Sequence, residues 1–422
     1  MKYKILMLPS WYPTKEDPVA GSFFKEQAQA LAQYFDFFVA LVTFPSFSFR
    51  SFLRQSLRRA RISIDASTRL VPEIHCVAYS HMPERILRFF IRRDCFKGTV
   101  LKKAERLIED HYDDRRCRTY LKVYRLLERD YGFKPDLIYA MTAQTNGVEA
   151  YSLAKAIGTP VILAEHVPFP FPGSMVTAKV RMAIERCASI LSVSNHLSRL
   201  ILMQRIDCNP IVVGNMIDEN RFPLKQTKKA GKSSMNVLFV GAYSFFKDYD
   251  TFFKAMAHLR TISGSSFSIT IVGYDVSKGY SMGEQKFMDH LNRYNLADIC
   301  ELVSKVSRND MARYYQKSDL LVSTSIQETF GVACIEAMAS GLPVFATKSG
   351  GVEDFIDDSC GRLFDLKDYR SLAESINDFF EKRTVFDSMD IRNKIVGRYG
   401  INAFTDRISK IFTEAIAAKN IE

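Results

Sequence analysis

Two acidic residues spaced within one segment are the side chains of this sequence best suited to chemistry. In SIQETFGVACIEAMASGLPVFATKSGG, residues 325–351, Glu328 and Glu336 are separated by seven positions. Ionised carboxylates only accept hydrogen bonds, so a spaced pair suits a ligand rich in hydroxyl groups. Thr329-Phe330-Gly331 opens an amphipathic helical run that reaches Ala339, and Gly341-Leu342-Pro343 stops it. That start places Glu328 in the loop at the helix N-terminus and Glu336 within the helix. The backbone N–H groups of Phe330, Gly331 and Val332 then lie at the positive end of a helix, a ready seat for a phosphate. Gly331 allows the backbone to come close to a ligand. The bland alternative is a capped surface helix carrying two incidental glutamates.

Two further groups invite the same weighing. Ala164-Glu165-His166 ends the apolar run PVILA. Imidazole titrates near neutrality, so His166 can donate hydrogen bonds or assist proton transfer; the alternative is a satisfied core histidine. Asp248-Tyr249-Asp250 spells D-x-D, a pattern that holds metal in some enzymes. It stands directly before the helical stretch Asp250–Leu259, so it reads as an N-cap with acidic charge in the first turn.

Short apolar strands alternating with helical segments must position these groups. Lys4–Leu8, Phe37–Phe44, Pro135–Ala140, Pro160–Ala164, Ser189–Val193 and Ile211–Val213 read as strands, and Ser22–Gln33 as a helix capped by Ser22. The polar stretch Thr227–Ser234 reads as a linker. The pattern then restarts with strands at Asn236–Val240, Ser268–Val272, Ile299–Leu302, Leu320–Val322 and Val344–Ala346. Such alternation predicts parallel, doubly wound sheets. Ala403–Ala418 reads as a terminal amphipathic helix, with Phe404, Ile408, Ile411, Phe412 and Ala415 at helical spacing. In open sheets of this kind ligands bind at the carboxyl ends of strands, where the loop after Leu320–Val322 carries Glu328.

Composition narrows the class. At about 100–200 residues per domain, 422 residues imply two to four domains. A hydrophobic share of 47% with 25% charged residues excludes disordered, collagen-like and disulfide-stapled chains. Eight scattered cysteines contain no C-x-x-C pair, and they read as reduced core residues in a reducing cytosol. No apolar run approaches the length of a membrane-spanning helix. The N-terminal apolar run is too short for a signal peptide and reads as a buried strand.

The formal net charge is +11, favouring acidic partners. Between Arg50 and Asp130, 20 lysines and arginines stand against 11 aspartates and glutamates. Phe44–Ile62 interleaves aromatic residues with Arg50, Arg54 and Arg58, and Pro83–Ile108 repeats the mixture. The expectation is contact with an anionic membrane surface through residues 44–108; two ordinary helices with solvated basic faces are the alternative. No recognised nucleic-acid motif accompanies the stretch, so no nucleic-acid partner is expected.

The segment ETFGVACIEAMASGLPV, followed by Gly350-Gly351, resembles the nucleotide-sugar signature of retaining family 4 glycosyltransferases. The resemblance covers nearly the whole chain. It implies the GT-B fold: two Rossmann-like doubly wound domains facing across a cleft. Residues 1–214, with 403–422 packing back, would form the acceptor domain, and 215–402 the nucleotide-sugar domain. By this match Glu328 contacts the donor sugar, Glu336 the nucleotide ribose, and Thr329 to Val332 the donor. Trp11-Tyr12-Pro13 through Gly21-Ser22-Phe23 resembles the family's first loop, which assigns Gly21 and its neighbour Ser22 to the donor phosphates. His166 matches the family's active-site histidine, with a binding or electrostatic role. Ser194-Asn195 before His196 is a mainly structural match. Val213-Gly214-Asn215-Met216-Ile217-Asp218 resembles the inter-domain segment PNGVD, with glycine in the proline's place. Val240-Gly241-Ala242-Tyr243 through Lys247 resembles the phosphate-binding loop. There Lys247 is the lysine on the donor pyrophosphate, and Ala242 stands where an arginine is usual.

The implied activity is transfer of a sugar from a nucleoside-diphosphate donor, with retention, to a lipid-linked or cell-surface glycan. It would act in the cytoplasm, on the inner membrane face, with no cofactor and no required metal. The same fold acting on a soluble acceptor, and a non-catalytic nucleotide-sugar-binding protein, are the competing expectations.

Overall fold

The computed structural model of the protein describes residues 2–14, 20–43, 61–65, 71–77, 98–225, 234–275 and 283–419; for 61–65, 77 and 98–113 it describes the backbone alone. Two compact units emerge. Unit 1 comprises Met1–Ser192, Ser198–Val212 and Arg407–Glu422, and unit 2 comprises Val193–Leu197 and Val213–Asp406.

Unit 1 is built on an eight-stranded sheet: β1 (Lys4–Leu8), β2 (Asp36–Thr43), β3 (Arg61–Asp65), β4 (Glu73–Val77), β5 (Leu137–Met141), β6 (Val161–Glu165), β7 (Ser189–Ser192) and β8 (Ile211–Val212). Their spatial order is β3-β4-β2-β1-β5-β6-β7-β8. Every neighbouring pair is parallel except β3–β4. Strands in such sheets are covered on both faces, so their sequences are continuously apolar. LIYAM of β5 and VILAE of β6 are buried at every position, the terminal glutamate included. Helices α1 (Ser22–Leu31), α2 (Gly98–Tyr131), α3 (Ala143–Ile157), α4 (Ala178–Arg186) and α5 (Asn195–Met203) fall between the strands.

Unit 2 has a fully parallel six-stranded sheet: β9 (Ser234–Val240), β10 (Ser266–Val272), β11 (Cys300–Val303), β12 (Leu320–Ser323), β13 (Val344–Thr347) and β14 (Gly361–Phe364). The order is β11-β10-β9-β12-β13-β14. Its connections are α6 (Tyr249–Ile262), α7 (Glu284–Arg293), α8 (Arg308–Lys317), α9 (Val332–Ala339), α10 (Tyr369–Phe380) and α11 (Ser388–Tyr399). An aromatic core of Phe239, Phe252, Phe253, Phe287 and Phe345 lies under these helices. The terminal helix α12 (Ile401–Lys419) begins in unit 2 and passes into unit 1 at Arg407. In unit 1 its Phe412 packs on Tyr139 at a ring separation of 4.9 Å.

Both sheets reverse winding direction at a central pair, β1/β5 in unit 1 and β9/β12 in unit 2. Such switch points open a crevice at the carboxyl ends of the two strands, the place where doubly wound folds receive ligands.

Several expectations need adjustment. Gly21, not Ser22, caps α1, with φ 68°; Ser22 is the first helical residue. The helix ends at Leu31, two residues early. The 34-residue α2, and strands β3, β4 and β14, are not expected from the pattern. Linker residues 227–233 and the basic stretches 44–60 and 83–97 lie outside the described residues, while 98–108 fall in α2.

Candidate functional site

In unit 2 the loops after β9 and β12 meet. Phe245–Lys247 forms one turn of 3-10 helix, and Asp248 follows in the left-handed region at φ 45°. Thr324, just past β12, donates its hydroxyl to the carbonyls of Lys247 (3.1 Å) and Asp248 (2.9 Å). The amide of Ile326 adds a bond to the Phe246 carbonyl at 2.9 Å. These contacts tie the lysine loop to the glutamate loop. The Lys247 stem crosses Gly241 so closely that a Cβ there would sit 2.9 Å from its Cε; the missing side chain is what lets the lysine reach forward.

The outcome is an ion pair. Lys247 Nζ lies 2.5 Å from Glu328 Oε1, with side chains 25% and 18% exposed. Ser325 donates its hydroxyl to the same oxygen at 2.9 Å. Burial pulls the Lys247 pKa down, but the Glu328 carboxylate outweighs it and raises the ammonium above its ordinary value. The Glu328 backbone is clamped by the strand-end loop of β13. Its amide donates to Ser349 O and its carbonyl accepts from Gly351 N, both at 2.8 Å. Gly331 caps α9 at φ 102°, and intrahelical bonding starts with Cys334 N on Gly331 O at 3.0 Å. The first-turn N–H groups of α9 thus open beside Glu328. The ring of Phe330 is buried against Tyr399 (5.1 Å) and Phe355 (5.5 Å), which leaves its backbone as the part able to meet a ligand.

Glu336 is 5% exposed and keeps other company. Arg308 donates to its Oε1 from Nε at 3.0 Å and from Nη2 at 2.6 Å. Tyr315 donates its hydroxyl to Oε2 at 2.9 Å. The structure therefore joins Lys247 to Glu328, and Glu336 to a separate cation.

In unit 1, Gly21 turns the chain into α1 so tightly that a Cβ there would lie 2.5 Å from Trp11 O. His166 follows β6, buried, with its ring 4.8 Å edge-on from Phe24 and 5.7 Å from Phe23. The start of α1 and His166 are thus neighbours. Glu165, fully buried, accepts backbone N–H groups from His166 (2.9 Å), Val167 (3.1 Å) and Gln144 (3.3 Å). Burial outweighs these donors and pushes its carboxyl up to about 7.

The D-x-D pair serves structure. Asp248 caps α6 by accepting from Thr251 and pairs with Lys367 at 2.8 Å. Asp250 resists its partial burial through Lys254, Tyr294 and His290, which hold its carboxyl down at about 2. Among the described residues no group of three or more histidine, cysteine or acidic side chains is arranged to hold a metal.

Sequence reasoning misses Ser325, Arg308, Tyr315 and the burial of Glu165. Ser307-Arg308-Asn309-Asp310 shows only a helix-capping signature, with Ser307 accepting from Asp310 N. Nothing in that signature points to Glu336, 28 residues on.

Comparison with known proteins bears on the fold and on the region that carries these loops. Residues 220–397 match the family model described as glycosyl transferases group 1. The chain is 28% identical over 183 residues to a D-inositol 3-phosphate glycosyltransferase of Paenarthrobacter aurescens, covering 42% of this chain and 44% of that protein. It thus spans about half the length of the first curated relatives it matches. Sucrose-phosphate synthase of Thermosynechococcus elongatus superposes with a TM-score of 0.70 at 16% identity, covering 99% of this chain and all of that one. Anabaena HepE in complex with UDP gives 0.66 at 16% identity, over 97% of this chain and 100% of its own. The chain has the GT-B fold that these structures share. The residues that match the family model lie in its second unit.

Proposed function

We propose that the protein is a retaining glycosyltransferase that moves a sugar from a nucleoside-diphosphate donor to a lipid-linked or cell-surface glycan. The observation that carries this reading is the Lys247–Glu328 pair beside the N-terminus of α9. Cleaving the donor leaves a diphosphate of growing negative charge, and a fixed cation with unspent helix N–H groups stabilises it. Glu328, once Lys247 turns to the phosphate, accepts from sugar hydroxyls, and Glu336 accepts from the ribose. In unit 1, Gly21 and Ser22 offer helix N-terminal amides to the donor phosphates, and His166 contributes hydrogen bonding near the sugar and acceptor.

The basic and aromatic content of residues 44–108 supports an anionic membrane surface as the setting, on the cytoplasmic face. Among the described residues no helix is long and apolar enough to cross a membrane, so contact would be peripheral. The reaction needs no cofactor or metal in this reading, since Lys247 supplies the positive charge.

A thermal-shift screen of uridine-, guanosine- and adenosine-diphosphate sugars tests the donor, because a ligand that binds only the folded form raises its stability. One base class should raise the melting temperature and support donor turnover. No shift and no turnover with any of them overturns the proposal. Flotation with anionic vesicles tests the membrane part, and binding indifferent to lipid charge and salt removes it.

A further inference from the structure

One loop of unit 1 turns apolar side chains outward and keeps polar groups inward. It runs from Pro168 to Thr177, between His166 at the end of β6 and helix α4. Phe169 anchors it at 1% exposure. Two residues on, Phe171 is 39% exposed, and Met175 at 84% is the most exposed large apolar side chain among the described residues. Single apolar residues in water are ordinary; the hydrogen bonding here is not. Gln144, in the first turn of α3, closes the loop. Its Oε1 accepts from Phe171 N at 2.7 Å, and its Nε2 donates to Ser174 Oγ at 2.7 Å and to Met175 O at 3.4 Å. Ser174 donates its hydroxyl to Phe171 O at 2.6 Å and its amide to the same carbonyl at 2.9 Å. One side-chain amide thus reaches both Phe171 and Met175, which fixes the two as neighbours.

Pro168, Pro170 and Pro172 remove three backbone donors outright. Gly173, at φ 78°, makes the turn at the tip. A loop that meets only water has no need of this arrangement, because water satisfies any amide. A loop that enters an apolar layer does, since an unpaired backbone group is expensive there. The charge pattern indicates which layer. Between Glu165 and Glu185 the chain has no acidic residue, and its formal charges are Lys179 and Arg181, both on α4. Arg181 lies among the carbonyls of Arg205 (2.6 Å) and Gln204 (2.9 Å), with Glu185 3.9 Å away. Met182, 46% exposed, adds a third apolar side chain to the surface of α4. Apolar residues at a tip, cations behind them and no anion between complement an anionic lipid surface.

We infer that residues 168–177, closed by Gln144, are a membrane-inserting loop: Phe171 and Met175 enter the interface of an anionic bilayer, with Lys179 and Arg181 at the level of its phosphates. The inference rests on the reading of the protein as one that works at an anionic membrane surface. It adds a contact outside residues 44–108, and it sets an orientation. The loop follows β6 at the carboxyl end of the sheet, the end at which doubly wound folds receive ligands. The bilayer therefore faces that end of unit 1, where a lipid-linked acceptor leaves the lipid.

The experiment is flotation of the full chain with vesicles of phosphatidylcholine and phosphatidylglycerol, beside the double variant Phe171→Ser/Met175→Ser and the single variant Phe171→Trp. The double variant loses the burial of two large apolar side chains, so its partition into the vesicles should fall at least about tenfold, with an unchanged circular dichroism spectrum. The chain has one tryptophan, Trp11, so the indole added at position 171 is read as the difference from wild type. Its emission should move to shorter wavelength on binding, and brominated acyl chains should quench it. Wild type that floats while the double variant stays within twofold of it, or while the added indole escapes quenching, places the membrane contact elsewhere. That overturns the loop and leaves the membrane reading intact. A double variant that floats like wild type but has lost donor turnover assigns the loop to an acceptor or a protein partner, and equally overturns it. Wild type that does not float with these vesicles removes the anionic-membrane reading itself, and the loop with it.

Discussion

Glu165 in unit 1 and Glu328 in unit 2 both stand at or just past the carboxyl end of a parallel strand, but their negative charge is answered by different means. Glu165 is enclosed, and backbone amides of His166, Val167 and Gln144 donate to it. Those dipoles belong to the fold and cannot leave. They also fall short of the water they replace, so burial lifts the carboxyl to about 7. Glu328 is partly exposed and faces an ammonium on a long flexible stem, plus the Ser325 hydroxyl. A lysine can swing away to another anion, while a backbone amide held in the fold cannot. Of the two, Glu328 therefore has the partner that can leave. Glu165 is built to hold the His166 peptide and the start of α3 in place.

This contrast is most exposed to failure at Lys247. If its charge passes from Glu328 to the leaving diphosphate, Lys247→Ala removes the one donor that follows the developing charge. Losses for comparable single donors are roughly 2.7–4 kcal/mol, on the order of a hundred- to a thousandfold in turnover. Steady-state assays of donor consumption should show that fall in kcat, with the fold intact by circular dichroism. Turnover within threefold of wild type would mean that the pair is structural after all.

Glu165 tests the opposite pole. Its folded pKa of about 7 lies above the ordinary 4.5, so the native state holds a proton that the unfolded state has released. Between those two values the unfolded form binds fewer protons, and stability falls as pH rises. The loss is complete above the folded pKa, and amounts to roughly 3 kcal/mol at about 1.4 kcal/mol per unit. Glu165→Gln is neutral throughout. Denaturant unfolding of both proteins from pH 4 to pH 8 should therefore show wild type losing roughly that much more than the variant. Parallel pH curves would mean that Glu165 ionises as freely in the fold as in water.

The same physics decides which features the amino-acid pattern reveals. Strands β1, β5, β6 and β9 are legible in it because a doubly covered strand has no polar face to interrupt it. The Glu328 loop is legible because Gly331, Gly341 and Pro343 punctuate a short apolar helix. Helix α2 is not: runs such as Glu109-Asp110-His111-Tyr112-Asp113-Asp114-Arg115-Arg116 carry almost no apolar periodicity. Ser22 passes for a cap because sequence cannot show that Trp11 crowds the preceding residue, where only glycine fits. The partners of Glu336 are invisible for a related reason. Arg308 and Tyr315 reach it through the packing of α8 on α9, and charge partners made by tertiary packing leave no local pattern.

A subtler change is expected at Glu328 itself, and its sign is what makes it diagnostic. Glu328 and a diphosphate compete for Lys247, so removing the charge of Glu328 should help the diphosphate even while it harms the reaction. The pair is 25% and 18% exposed, so solvent and salt weaken it, and about 1 kcal/mol is a fair discount. That corresponds to roughly fivefold in affinity. The nucleoside diphosphate that wild type binds, titrated calorimetrically, should bind Glu328→Gln about threefold to fivefold more tightly than wild type, and the gain should shrink as salt rises. Donor turnover should fall in the same variant, because the amide accepts sugar hydroxyls less well than a carboxylate. Ser325 keeps a partner, since its hydroxyl can donate to the amide oxygen as it does to Oε1. Binding of that nucleotide that is unchanged or weaker would show that Lys247 never trades Glu328 for phosphate. Glu328 would then be as fixed in its company as Glu165.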